Sequence, residues 1–317
     1  MVEPQNYGFA SEQASQFPPY IMYDVINVCN ARCSHCPQRI ISRQQEYTAM
    51  RISWEQYIKT IEEIARHRID VLRLTGDGEP LLHPDIARMV RAAKEAGVPK
   101  VNLTTNGSLL KGRLLDDLLE SPPDIFDISL DAFYAETYQE VRAGLDFESV
   151  KANVLNLLDR RDSARSKVIV SFIRRPGADQ EAEAFTKYWQ PLVDFVAIRE
   201  MHSNKGLSNQ DSSSSDVERW PCQHLWQRLV FDYRGMIRYC PVDWTGESVI
   251  GEIDRISIQE AWQSEKMKAL RENHLNGSFE SCGPCNSCQD WQVSPWDKGW
   301  LKLVEKISAD DRFGHSE

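Results

Sequence analysis

From residue 21 to residue 198 the chain alternates between two hydrophobic rhythms. Short β-branched or apolar runs at 21–28, 71–75, 101–105, 125–130, 168–173 and 193–198 read as strands. Between them, apolar residues recur at helical spacing. Trp54, Tyr57, Ile58, Ile61 and Ile64 share one face behind a Ser53/Gln56 capping-box pattern. Ile86, Met89, Val90 and Ala93 share another, stopped at Gly97. Helices are also expected over 114–119, over 147–158 and between the last two strands. Six strands alternating with helices predict an α/β parallel sheet, either open and doubly wound or curled into a partial barrel. Periodicity alone does not choose between these.

The rhythm stops near Arg199. Residues 1–20 are polar and end in Pro18-Pro19, so they read as an extension without a fold of its own. The Ser-, Asn- and Asp-rich stretch 208–216 reads as a solvated linker within 206–220. Beyond it, 229–232 and 236–239 flank Arg234-Gly235 as a hairpin. A helix over 258–270, a Cys-rich loop at 282–288 and a last helix near 300–307 follow. The expected division is thus 1–20, a core over 21–205, the linker, and a unit over 221–317 small enough to need a metal staple.

Composition narrows the function classes. The 317 residues carry a net charge of -10, a poor start for nucleic-acid binding, which rests on clustered Lys and Arg. No run of about 18 apolar residues occurs, so no membrane helix is expected, and the first residues lack the pattern of a signal peptide. Eight cysteines are present, with none between Cys36 and Cys222. Such clustering points to metal or redox sites rather than disulfides, and to a cytoplasmic protein.

Cys29, Cys33 and Cys36 follow the first expected strand on one tight loop. Three thiolates can hold a four-iron cube and leave its fourth corner open to a ligand. A zinc site completed by His35 or water uses the same spacing. The C-x3-C-x2-C loop resembles the signature of the radical S-adenosylmethionine (SAM) superfamily. Gly76-Asp77-Gly78-Glu79-Pro80 resembles that family's GGEP segment, with Asp77 replacing the usual Gly. Thr104-Thr105-Asn106-Gly107 and Ser129-Leu130-Asp131 are similar to segments that contact the cofactor. Arg142 matches a family Arg that can pair with the cofactor carboxylate, and His35 occupies a slot that usually holds an aromatic ring near the adenine. Taken singly, Gly78-Glu79-Pro80 is an ordinary turn and Ser129 or Asp131 a helix cap. Together they fall at the C-terminal ends of successive strands, where α/β sheets build their sites.

The resemblance implies a partial (β/α)6 TIM-like barrel, with SAM on a 4Fe–4S cluster held by Cys29, Cys33 and Cys36. It implies cofactor contacts from His35, Gly76, Asp77, Gly78, Glu79, Thr104, Asn106, Ser129, Asp131 and Arg142. A flavodoxin- or ferredoxin-type reductant would drive formation of a 5′-deoxyadenosyl radical.

Cys222, Cys240, Cys285 and Cys288, with Gly235 five residues before Cys240, resemble the SPASM/twitch extension of the same superfamily. The spacing is especially similar to enzymes of the 2-deoxy-scyllo-inosamine dehydrogenase type. It implies one auxiliary 4Fe–4S cluster, closed by four thiolates and suited to electron transfer. A four-cysteine zinc ribbon is the plainer alternative. Cys282 is then a spare thiol: a passive neighbour, an alternative ligand or a hydrogen-atom donor. Trp220, Trp226, Trp244, Trp262, Trp291, Trp296 and Trp300 are expected as packing around that cluster. His202, Asn204 and Lys205 follow the last barrel strand, facing either substrate or solvent. The expected reaction is oxidation of an alcohol to a ketone on a cyclitol, aminosugar or similar small polyhydroxylated molecule. A peptide-modifying maturase or a radical epimerase is the alternative.

Overall fold

The computed structural model describes residues 14–204, 207, 219–293, 296 and 300–309. The strands, in chain order, are β1 (Tyr20–Asp24), β2 (Arg32–Cys33), β3 (Val71–Thr75), β4 (Val101–Thr105), β5 (Ile125–Ser129) and β6 (Arg142–Ala143). They continue with β7 (Lys167–Arg174), β8 (Phe195–Glu200), β9 (Arg228–Phe231), β10 (Met236–Arg238) and β11 (Val249–Glu252). Nine of these form one sheet in the order β11-β10-β9-β1-β3-β4-β5-β7-β8, while β2 and β6 pair with each other. The six strands expected from the sequence run parallel at its heart.

Alternation along each strand separates two interiors. Ile21, Tyr23, Leu72, Leu74, Leu103, Phe126, Ile128, Val170 and Phe172 pack against the apolar faces of the surrounding helices. Among those helices are Trp54–Arg66, Ile86–Glu95, Phe147–Arg160 and Asp179–Trp189. On the opposite face, Tyr20, Val71, Ile125, Ile169 and Ala197 meet Val304 and Ile307 of the helix Trp300–Ala309. Side chains from β1 and β8, with four strands between them, gather in one cluster with a single short helix, as a curled sheet arranges them. The architecture is therefore a partial barrel with its N-terminal end stopped by the last helix. Above that plug, Asp127 pairs with Arg73 at 2.9 Å and Arg199 at 2.8 Å.

Several boundaries differ from the sequence expectations. β1 stops at Asp24, because residues 25–28 turn away over the end of β3. Ser53 caps its helix through Gln56 N (3.1 Å), but the Gln56 side chain does not reach back; it donates to Asp254 at 2.9 Å. Residues 14–20 are not a loose extension. Phe17 is buried and stacks on His67, Ser15 O accepts from Trp262 Nε1 (2.7 Å), and Tyr20 opens β1. The expected hairpin forms with Gly235 at φ +81°, and β11 adds a third strand to it. Residues 1–13, Lys205 and most of the linker lie outside the described residues.

The second unit is not separate from the core. β9 pairs in parallel with β1 across Tyr20–Tyr23, so both units share one sheet. We expect a chain ended at residue 204 to expose the β1 edge and aggregate. Soluble yield and thermal unfolding check this; a monomer melting as the full chain does would contradict it.

Candidate functional site

The segment leaving β1 and the turn leaving β3 touch backbone to backbone. Val25 N donates to Thr75 O (3.0 Å) and Glu79 N to Val28 O (2.8 Å). A Cβ on Gly76 would lie 2.7 Å from Ile26 O, and one on Gly78 2.6 Å from the Val28 carbonyl carbon. Both positions must be glycine for this approach. The buried Glu79 carboxylate accepts from Thr105 Oγ1 (2.5 Å), Asn106 N (2.8 Å) and Leu81 N (3.1 Å). Burial raises its pKa, against the pull of these bonds. Glu79 therefore ties the third-strand motif to the fourth-strand motif, and Asn106 Nδ2 carries the tie to Asn30 Oδ1 in the cysteine loop (2.9 Å).

A second tie comes from β2 and β6, which the sequence did not reveal because each is two residues long. They set Cys33 opposite Arg142, and Ser34 N donates to Val141 O (3.0 Å). Arg142 is buried, paired with Asp131, and donates to Cys33 Sγ at 3.5 Å. Asp131 sits at φ +61° and also accepts from Ile173 N (2.9 Å). Burial alone would raise its pKa, but Arg142 holds it below the ordinary carboxylate range. Asp131 is thus the buried counterion of Arg142, not a helix cap. The guanidinium expected to meet the cofactor carboxylate is already engaged by Asp131 and Cys33. His35 Nε2 lies 3.6 Å from Asp131, and burial pushes its pKa down to about 4, leaving a neutral ring.

These ties surround a cavity of about 230 Å³ at the C-terminal ends of the strands. Cys29, Cys33 and Cys36 line it, as do His35, Gly76, Asp77, Gly78, Glu79, Thr104, Asn106, Ser129 and Arg142. Of the expected cofactor contacts only Asp131 stands behind the wall. Asn204 and Trp244 also line it, joined by Trp244 Nε1 donating to Asn204 Oδ1 (3.3 Å). Trp244 comes from the second unit and is not merely packing; only its place four residues after Cys240 hinted at this. Asp77, the departure from the family Gly, faces the same unit. It lies 3.7 Å from Arg238, which pairs with Asp24 at 2.5 Å and approaches Asp232 at 3.8 Å.

Cys222, Cys240, Cys285 and Cys288 line a second cavity of about 30 Å³, with Arg219, His224, Tyr239, Asp290 and Trp291 among its walls. Cys282 lines neither cavity: it is buried, and its thiol donates to Ser278 O at 3.4 Å. It stands apart from the lining of the first cavity. Asp290 joins the cysteine loop to the barrel by accepting from Ser203 N (2.5 Å) and Asn204 N (3.1 Å). His202 stands 3.9 Å from Asp290 and does not line the first cavity.

Both thiol sets suit iron–sulfur clusters. Burial pushes the Cys29 thiol up to about 11, Cys36 to about 12 and Cys222 to about 12, and raises Cys240 and Cys288. Thiolates so crowded need a strong cationic core. Among the described residues no three His, Cys, Asp or Glu converge as one ion requires. Ringing a cavity is an arrangement that a polynuclear core can fill.

Gly78→Ala is expected to abolish cluster loading at the first cysteines and to lower Tm. Gly97→Ala, at φ +79° with open space around it, should cost only about 1 kcal/mol. Iron content and thermal melts distinguish them; equal behaviour would contradict the close-approach account.

Sequence comparison matches the radical SAM superfamily over residues 23–173 and SPASM, an iron–sulfur cluster-binding domain, over 222–289. The GTP 3′,8-cyclase of Limosilactobacillus fermentum is 27% identical over 246 residues, covering 74% of this chain and 68% of its own. That of Lactiplantibacillus plantarum is 30% identical over 216 residues, 67% of this chain and 60% of its own. That of Chlorobaculum tepidum is 35% identical over 140 residues, covering 44% and 41%. The match thus spans less than two thirds of the latter two relatives. In fold, the chain is similar to BtrN in complex with AdoMet and 2-DOIA, with a TM-score of 0.60 at 16% identity, covering 87% of this chain and 94% of that one. Streptococcus suis SuiB bound to S-adenosylmethionine gives 0.67 at 12%, covering 92% and 75%. The radical SAM domain binds SAM and a 4Fe–4S cluster, and the SPASM domain binds auxiliary iron–sulfur clusters. With both cavities placed on one continuous sheet, the chain is a member of the radical SAM superfamily that carries a SPASM extension.

Proposed function

We propose that this enzyme oxidises an alcohol to a ketone on a small polyhydroxylated molecule, a cyclitol or aminosugar by class. The observation that carries the reading is the four-cysteine wall of the second cavity. Its four thiols match the four irons of a cubane, so a cluster held there has no open iron for a substrate and suits a one-electron acceptor.

In this reading Cys29, Cys33 and Cys36 hold the first cluster and leave one iron open. The backbone of 76–79, kept bare by Gly76 and Gly78, lies against the methionine end of SAM. Arg142, its charge balanced by Asp131, orients Cys33. When bound, the cofactors supply an organic radical able to take a hydrogen atom from an unactivated C–H bond. Asn204 and Trp244 border the same cavity from the side of the second unit, so a substrate there touches both units. Trp244 also excludes water from the reacting carbon. The net change removes two hydrogens from a secondary alcohol, one as an atom and one as a proton with its electron. Cys222, Cys240, Cys285 and Cys288 hold that electron's acceptor. Cys282 has a packing role only.

The likeness in sequence to GTP 3′,8-cyclases favours a second reading, ring closure on a purine nucleotide. Anaerobic incubation with SAM, dithionite and either an aminocyclitol panel or GTP separates the two by mass spectrometry. On the first reading a ketone lighter by two hydrogens accumulates and GTP is unchanged; consumption of GTP alone would overturn it.

Cys33→Ala should lower 5′-deoxyadenosine formation by roughly a hundredfold or more, since open-iron binding is lost. Cys240→Ala should still form 5′-deoxyadenosine but yield little ketone. Full ketone yield from Cys240→Ala would remove the second cavity from the reaction.

A further inference from the structure

Arg219, in the wall of the second cavity, and Arg228 on β9 have no carboxylate partner among the described residues. Arg219 donates through Nη2 to Cys285 O (2.7 Å) and lies 3.8 Å from the Phe279 ring centroid. Its Nε is buried and makes no hydrogen bond. Arg228, 6% exposed, lies 4.5 Å over the Tyr20 ring, and its Nε is likewise unpartnered. Asp290 is the one carboxylate in the lining, and both its oxygens accept from the backbone of Ser203 and Asn204.

Holding a cation without a counterion is costly for the buried Arg228 and, to a lesser degree, for the half-buried Arg219, so their retention implies a negative partner that completes the site. Four thiolates on a four-iron core provide it: the assembly is anionic, and reduction adds one electron and one further unit of negative charge. The first cavity is arranged differently. There Asp131 cancels Arg142 and Glu79 sits in the same wall, so only the half-buried Arg39 is left over.

We propose that Arg219, with Arg228 behind it, is the built-in countercharge of the auxiliary cluster and raises its reduction potential above that of the SAM-binding cluster. This rests on the reading that Cys222, Cys240, Cys285 and Cys288 hold that cluster. A fixed positive charge stabilises the reduced form more than the oxidised one, which biases electron flow away from the first cavity. Arg219 is a positioning residue, acting on the potential without touching substrate.

The test uses full-length protein carrying Cys29→Ala, Cys33→Ala and Cys36→Ala, so that only the auxiliary cluster remains. Iron and sulfide analysis first establishes its presence; a chain with no iron would overturn the ligand reading and this proposal with it. A mediated redox titration followed by EPR then gives the midpoint potential. Arg219→Gln is expected to lower it enough to change the oxidised-to-reduced ratio tenfold at fixed potential, 59 mV for a one-electron couple. Arg219→Lys should restore most of the shift, and Arg228→Gln should shift it in the same direction by less. Should Arg219→Gln fail to hold iron, the Arg228→Gln midpoint decides. Midpoints unchanged in every iron-loaded variant would overturn the proposal.

Discussion

Two backbone segments meet at the mouth of this barrel with no room for a side chain between them. Residues 26–28 run against residues 76–78, and the two glycines of that turn are what permit the contact. Everything at the first cavity takes its position from this approach. It carries the cysteine loop over the end of β3, brings Glu79 to Thr105 and Asn106, and fixes the height of the thiols above the strand ends. The constraint is steric, so it is insensitive to salt and pH, unlike the ion pairs around it.

Those ion pairs add direction. Arg142 holds Cys33 from one side while Asp131 holds Arg142, so the loop is restrained from two elements far apart in sequence. Asp77 and Arg238 then join the turn to the second unit, and Asp290 joins the cysteine-rich loop to the end of β8. With β9 hydrogen-bonded to β1, the two cavities sit on one sheet rather than on two bodies free to move apart. A fixed spacing matters wherever an electron must pass between centres.

Much of this was legible in the sequence. The six barrel strands announce themselves because each is apolar on the helix-facing side, and the cysteine sets because their spacings have few other uses. What escaped was non-local. β2 and β6 are too short for any periodicity, and their pairing spans more than a hundred residues. The parallel addition of β9 to β1 could not be read, because β9 resembles an ordinary hairpin strand. Arg142 and Asp131 both matched family positions read as cofactor contacts, yet their pairing with each other was not legible, since a carboxylate that caps, binds a ligand or neutralises a buried cation is the same side chain. Trp244 hid among several tryptophans whose ordinary role is packing. Cys282 was ambiguous for the same reason: a thiol's chemistry depends on what it faces, and only the fold shows that it faces Ser278.

The account stands on one iron at the first cavity being open to SAM. Electron–nuclear double resonance on reduced protein with SAM carrying 15N at its amino group tests this directly. A nitrogen coupling is predicted in the parent and in Cys240→Ala, and none in Cys33→Ala. No coupling in the parent, or one that persists in Cys33→Ala, would contradict the account.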